Sequence, residues 1–219
     1  MNLLTSTRWA KAVETWLAPH CTRLQIAGSI RRESPLVNDI DIVCIPKVTE
    51  EKDMLGSIVR RENHVLNFLT KYVHEKPQQA RFISGWDADR KQDGKTPLPK
   101  QVMLELPKCQ LDLWFAEQAN FATRLLCRTG SKEHNTWFAD RCTDQGLHWF
   151  PYEGIAALSA LQAAGITVGT PGAADRARET GLIMAAESEI DLYAYAGLAH
   201  IPAQNREAAW LAKNIDSGL

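Results

Sequence analysis

Asp39 and Asp41 lie one residue apart in the run Asn38-Asp39-Ile40-Asp41-Ile42-Val43-Cys44-Ile45. Side chains of a strand alternate between its faces, so both carboxylates project from one face and Ile40 and Ile42 from the other. An apolar strand does not keep two charges without partners, and a divalent cation is the simplest partner for two hard oxygen donors. Upstream, with nine residues between it and Asp39, stands Gly28-Ser29, a turn whose backbone N–H groups offer a seat for phosphate. A third carboxylate recurs in a matching setting, Asp112 at the centre of Gln110-Leu111-Asp112-Leu113-Trp114-Phe115. Three carboxylates gathered on one sheet face can hold two Mg²⁺ ions about 3.5–4 Å apart, clamping the attacking and leaving oxygens of an in-line displacement. Metal plus phosphate points to phosphoryl transfer. The competing reading is a solvated strand face whose Asp residues pair with nearby Arg.

These residues need a sheet to bring them together, and the chain has the material for one. Its 219 residues are 45% apolar and 23% charged, an ordinary composition for one domain or two small ones. No apolar run approaches the ~20 residues that cross a bilayer, and the N-terminus lacks the apolar core and cleavage site of a signal peptide. A cytoplasmic location is expected, in a bacterium or a virus-infected host cell. Five widely spaced cysteines (Cys21, Cys44, Cys109, Cys127, Cys142) with no C-x-x-C pair read as reduced thiols rather than a disulfide framework or a zinc knuckle. A net charge of −1 leaves any grip on nucleic acid to local clusters.

Along the chain, Thr5 or Ser6 can cap a first helix carrying Trp9, Val13, Trp16 and Leu17 at helical spacing. Residues 23–27 read as a strand. Leu55, Ile58, Val59, Leu66, Leu69 and Val73 suit one long amphipathic helix over residues 52–73. Residues 81–86 and 101–106 read as strands joined by a polar, mildly basic connector, followed by the Asp112 strand and a helix over about 118–126. Ser131 is placed to cap a helix that stops at Gly146. Residues 156–172 are rich in Ala and Gly, with a helical piece around 158–164. The expected fold class is α+β: a mixed sheet with helices on one face over residues 1–116, then a small C-terminal α/β unit over 117–219.

Gly28-Ser29 followed by Asp39-x-Asp41, with the later lone Asp112, resembles the palm of the nucleotidyltransferase superfamily to which DNA polymerase beta belongs. Leu126-Cys127-Arg128-Thr129-Gly130-Ser131-Lys132-Glu133-His134-Asn135 is similar to the Thr-Gly-Ser segment of family X DNA polymerases. The segment from Glu189 to Pro202, followed by Arg206-Glu207, looks like the close of that family's C-terminal subdomain. The resemblance covers about residues 24–46, 101–150 and 181–207. It implies a palm followed by a thumb, and a two-metal polymerase using Mg²⁺, with Mn²⁺ able to substitute. Asp39 and Asp41 would bridge both ions, and Asp112 would bind the catalytic one near the primer 3′-hydroxyl. Gly28, Ser29 and Arg32 would hold the β and γ phosphates. Cys127, Arg128, Gly130 and Ser131 would line the nucleotide, and Asn135 would reach the minor-groove edge of its base. His134 and His148 read as structural or surface residues, because two-metal transfer needs no His. Trp86, Trp114, Trp137 and Trp149 read as core residues rather than base-stacking ones, Trp137 being the best stacking candidate of the four.

Three departures from the family matter. About 25 residues precede Gly28, too few for the N-terminal lyase and helix–hairpin–helix domains, so the likeness is to reduced palm-plus-thumb members, without lyase activity and with gap recognition in question. The aromatic pair that crowds the sugar 2′ position in many members is Cys127-Arg128 here, implying weak discrimination against ribonucleotides. The basic residues that often flank the third Asp are Gln110 and Trp114, leaving Arg90, Lys91, Lys95 and Lys100 as candidates for the primer phosphate. The expected protein is a monomeric DNA polymerase that extends primer–template or gapped DNA with dNTP, and with rNTP as a further substrate, in repair or gap filling, with no membrane partner. Template-independent nucleotide addition and a non-catalytic binding module on the same fold stand as alternatives.

Overall fold

The structure, a computed structural model, describes residues 1–84, 86 and 99–207. Internal contacts divide the chain into two units, Met1–Ile30 with Pro35–Ala116, and Arg31–Ser34 with the residues from Glu117 onward. The fold is α+β, built on a five-stranded mixed sheet.

The first unit runs α1 (Leu3–Leu17), β1 (Cys21–Ile26), a one-turn helix α2 (Gly28–Arg31), β2 (Asp39–Pro46), β3 (Val48–Lys52), β4 (Ile58–Asn63), α3 (His64–Glu75), β5 (Arg81–Ser84), β6 (Gln101–Leu106) and β7 (Cys109–Phe115). Sheet order is β1-β2-β7-β6-β5, with β2 and β7 parallel and the other neighbours antiparallel. Ile40 and Ile42 of β2 and Leu111 and Leu113 of β7 join Val13 and Leu17 of α1 and Val65, Leu66 and Leu69 of α3 in one core. Each large aliphatic side chain so buried contributes about 1.5–3 kcal/mol, which commits that sheet face to the helices and leaves the alternate positions, the three Asp among them, on the other.

Two sequence expectations are corrected here. The first helix is capped by Asn2, whose side chain accepts from Thr5 N at 2.9 Å, while Ser6 is a buried helix residue donating to Asn2 O. The long helix over 52–73 is instead the β3–β4 hairpin followed by α3. Asp53 breaks the helix, because its carboxylate accepts from the N–H groups of both Leu55 and Ser57 and Gly56 takes φ +82°, closing a tight turn. Asn63 then caps α3 by accepting from Val65 N and Leu66 N.

The second unit runs α4 (Phe121–Thr129), α5 (Lys132–Asp144), β8 (Leu147–Phe150), β9 (Gly154–Ala157), α6 (Leu158–Ala163), α7 (Ala173–Glu179) and α8 (Glu189–Tyr195), with β8 and β9 forming an antiparallel hairpin. A 3-10 turn at Gln118–Asn120 precedes α4, so the helix expected from 118 begins later and runs on to Thr129. Phe138 of α5 is fully buried with Trp149 and Tyr193 edge-on at 5.2 and 5.3 Å. The Ala/Gly-rich stretch packs: Phe150, Ala156, Leu161, Ile166, Ala173 and Ala177 form a small separate core whose short side chains let α6 and α7 come close to the hairpin. No helix among the described residues is long and apolar enough to cross a membrane.

Candidate active site

In the first unit the parallel pairing of β2 with β7 sets Asp41 directly opposite Asp112 and Asp39 opposite Gln110. Register partners on adjacent strands share a sheet face, so the three carboxylates and Gln110 lie on one side. Asp41 and Asp112 are buried, 8% and 6% exposed. Neutral donors hold both: Trp114 Nε1 donates to Asp41 Oδ1 at 3.3 Å, and Gln110 Nε2 donates to Asp112 Oδ1 at 2.7 Å.

The turn after β1 approaches this pair from the backbone. Ala27 N donates to Asp41 O at 2.8 Å, and Gly28 takes φ +60°. A Cβ at Gly28 would stand 2.2 Å from Asp41 Oδ2, so only glycine admits the approach. The Ser29 Oγ beside it is buried and has no hydrogen-bond partner among the described residues, an orphaned donor suited to an anionic oxygen.

Among the described residues, no three His, Cys, Asp or Glu side chains stand together as a ready-made metal centre. The donor chemistry nevertheless fits a hard divalent ion: carboxylate oxygens in register, oriented by neutral N–H groups. What the sheet supplies is the register; the side chains would complete the coordination by turning toward the ion.

In the second unit, Gly130 and Ser131 link α4 to α5 through a cis peptide bond. Ser131 caps α5, its Oγ accepting from His134 N and donating to Arg206 O at 2.8 Å. Asn135 is half-buried, and its Nδ2 donates to Cys127 O at 2.8 Å. Cys127 and Arg128 are half-buried on the last turn of α4. Arg32, expected to meet phosphate, is drawn to this unit: its Nε pairs with Glu207 at 2.8 Å and its NH1 donates to Thr129 O. The structure therefore groups Asp39, Asp41, Asp112, Gly28 and Ser29 in one unit, and Arg32, Cys127, Arg128, Gly130, Ser131 and Asn135 in the other. Of the proposed primer-contacting cations, Arg90, Lys91 and Lys95 lie outside the described residues.

Sequence reasoning left three features without a role. Glu189 is buried and bridges two guanidinium groups, accepting from Arg31 at 2.7 and 2.8 Å and from Arg206 at 2.9 and 3.3 Å. Burial opposes its ionisation, but hydrogen bonds from His200, Arg31 and Arg206 outweigh that and hold the carboxyl well below its ordinary range. Gln110 and Trp114 donate to Asp112 and Asp41 and help orient them. His134 is fully buried against Tyr193. No local pattern marks Glu189, whose partners Arg31 and Arg206 lie 158 and 17 residues away.

Solved structures share this architecture. Leishmania infantum polymerase beta in a ternary P/T complex matches with a TM-score of 0.66 at 16% identity, over 94% of this chain and 76% of that one. The same protein in a ternary gap complex matches with a TM-score of 0.68 at 15% identity, over 94% and 70%. The chain has the polymerase beta fold. At this identity the likeness speaks for architecture, in which both units take part because nearly the whole chain is covered. Comparison with family models and with curated protein sequences gives no match.

Proposed function

We propose that the chain is a small nucleotidyltransferase that adds nucleotides to a primer 3′-hydroxyl in repair-like filling of DNA. The observation that carries this reading is the register of Asp41 against Asp112 across a parallel strand pair, with Asp39 on the same face and the Gly28 backbone pressed against Asp41. Asp39, Asp41 and Asp112 would hold two Mg²⁺ ions, with Mn²⁺ as a substitute. When bound, the ions activate the attacking hydroxyl and neutralise charge developing on the phosphate. The chain's own residues do the rest by positioning. Gln110 and Trp114 fix the orientation of two carboxylates, Gly28 lets the backbone come close, and the orphaned Ser29 hydroxyl donates to a phosphate oxygen. In the second unit Arg32 offers charge-assisted hydrogen bonds to phosphate, in exchange for its contacts with Glu207 and Thr129 O. Gly130, Ser131, Cys127 and Arg128 line the nucleotide, and Asn135 meets its base. The polymerase beta fold and the order of these segments along the chain support this assignment.

Primer extension tests it, with Mg²⁺ or Mn²⁺, on gapped, recessed and single-stranded substrates. Templated extension of gapped or recessed primers is the expected result; equal extension of single strands would instead identify template-independent addition. Asp112→Asn removes a charge while keeping shape, and loss of several kcal/mol of transition-state stabilisation predicts a drop of about 10³-fold. Unchanged incorporation by that variant would overturn the metal-assisted reading, and no incorporation by the natural chain with either ion would favour a binding module instead.

A further inference from the structure

We infer that His134 is a positioning residue that sets the orientation of the Asn135 side-chain amide, an assignment that rests on Asn135 meeting the incoming nucleotide. His134 lies on α5, fully buried, one residue before Asn135. Three contacts join it to its surroundings in a line. Asn135 Nδ2 lies 2.8 Å from Cys127 O, Asn135 Oδ1 lies 3.3 Å from His134 Nδ1, and His134 Nε2 lies 2.6 Å from the Tyr193 hydroxyl.

With the ring neutral, only one arrangement of protons satisfies all three. A backbone carbonyl can only accept, so the Asn135 amide must turn its NH₂ to Cys127 and its oxygen to His134. An amide oxygen can only accept, so His134 Nδ1 must carry the ring proton. Nε2 is then an acceptor and takes the hydrogen of the Tyr193 hydroxyl. Burial, together with the positive charge of Arg206, pushes the His134 pKa down to about 4, so the ring is neutral and this tautomer is the one at work near pH 7. Flipping the amide would set N–H against Nδ1–H and oxygen against oxygen, two repulsive pairs in place of two bonds.

The consequence falls on what Asn135 can offer. One Nδ2 hydrogen is used by Cys127 O and the other remains to be given. The minor-groove edge of every base carries an acceptor, purine N3 or pyrimidine O2, so a donor fixed in direction recognises correct placement without reading base identity. A flipped amide would present an oxygen to that acceptor. His134 guards the donor orientation, and Tyr193 guards the tautomer of His134. The two other aromatic neighbours of the ring, Trp137 at 5.8 Å and Phe138 at 6.3 Å between centroids, pack it without competing for its nitrogens.

The test compares His134→Phe, which keeps a ring and loses both nitrogens, with His134→Asn, which restores a donor near the Nδ1 position, and with Tyr193→Phe and Asn135→Ala. Thermal midpoints and steady-state extension of a recessed primer with correct and mismatched dNTP are measured on the full chain. Asn135→Ala is expected to raise KM for the correct dNTP about tenfold, and His134→Phe about threefold to tenfold with kcat held, the scale of one lost hydrogen bond. Discrimination against mismatches narrows in both, Tyr193→Phe is milder, and His134→Asn recovers part of the loss. Separately from turnover, the Asn135 side-chain amide signals in ¹⁵N–¹H spectra, assigned by their loss in Asn135→Ala, should shift in His134→Phe and Tyr193→Phe. An amide that stays in place in both variants, or a loss of thermal stability with KM and mismatch discrimination unchanged, overturns the inference. Absence of incorporation by the natural chain, with the amide still responding, removes the polymerase reading and leaves the positioning standing.

Discussion

Replacing Gly28 with alanine separates the cost of a backbone conformation from the cost of crowding the Asp41 carboxylate, a proposed metal ligand. Gly28 sits at φ +60°, where an L-residue costs roughly 1–2 kcal/mol. The added Cβ would also meet Asp41 Oδ2 at 2.2 Å, Cγ at 2.9 Å and Cβ at 3.0 Å, so the carboxylate must turn away by an ångström or more. Gly146 is the matched control, with φ +71° and nothing within 4 Å of its added Cβ. Both alanine variants should lose comparable backbone free energy, about 2–8 °C in Tm for a chain of this size. Only Gly28→Ala displaces a proposed metal ligand, and a misplacement of about 1 Å at a reacting centre costs on the order of 100-fold in rate. The assay is steady-state primer extension with Mg²⁺ at 25 °C, beside thermal denaturation of each variant. Gly28→Ala with full activity, or an equal loss in both variants, would refute the claim that glycine is needed there to let the backbone approach Asp41.

Glu189→Gln leaves Arg31 and Arg206 without their shared carboxylate and should cost about 3–5 kcal/mol, read by urea unfolding. Because the folded carboxyl is held below its ordinary 4.5, its contribution is complete above pH 4.5 and drains as pH falls below it, so the variant should show a flatter acid limb. His134 acts in the same direction over a higher pH range. With its pKa lowered from 6.5 to about 4, the unfolded chain binds the extra proton between those values, and stability should fall by at most about 3 kcal/mol as pH drops through that window. His134→Phe should abolish that slope, and an unaltered pH profile would contradict it. With Cys127-Arg128 in place of an aromatic pair, dNTP and rNTP should be incorporated with comparable kcat/KM. A dNTP preference of roughly 100-fold, about 2.7 kcal/mol, would show that another group guards the sugar.

Legibility in the sequence followed the range of the interaction. Alternation around Asp39 and Asp41 needed only the strand period, and the Ser131 cap and Gly146 stop of α5 needed only neighbours within one helical turn. The β3–β4 hairpin is not legible in the sequence because Leu55, Ile58 and Val59 happen to fit a 3.6-residue repeat. The Asp53 side-chain turn that overrides the repeat adds little to an apolar count. Thr5 and Ser6 offer hydroxyls that by spacing alone suit a cap as well as Asn2 does, and only the helix start decides which side chain the free N–H groups reach.

By itself the sequence determined which residue types were available and which face of a strand or helix they share. Those are properties of local backbone geometry: period two puts Asp39 and Asp41 together, and glycine at position 28 permits a positive φ. The tertiary structure alone decided that Asp112 stands opposite Asp41 rather than one residue aside, since a register shift of one would have turned it into the Ile40 and Ile42 core. It alone decided that Glu189 lies between Arg31 and Arg206, and that the His134 ring closes a line from Tyr193 to Asn135. These partners are separated by up to 158 residues, and their pairing is enforced by the packing of whole elements, a constraint that no local spacing carries.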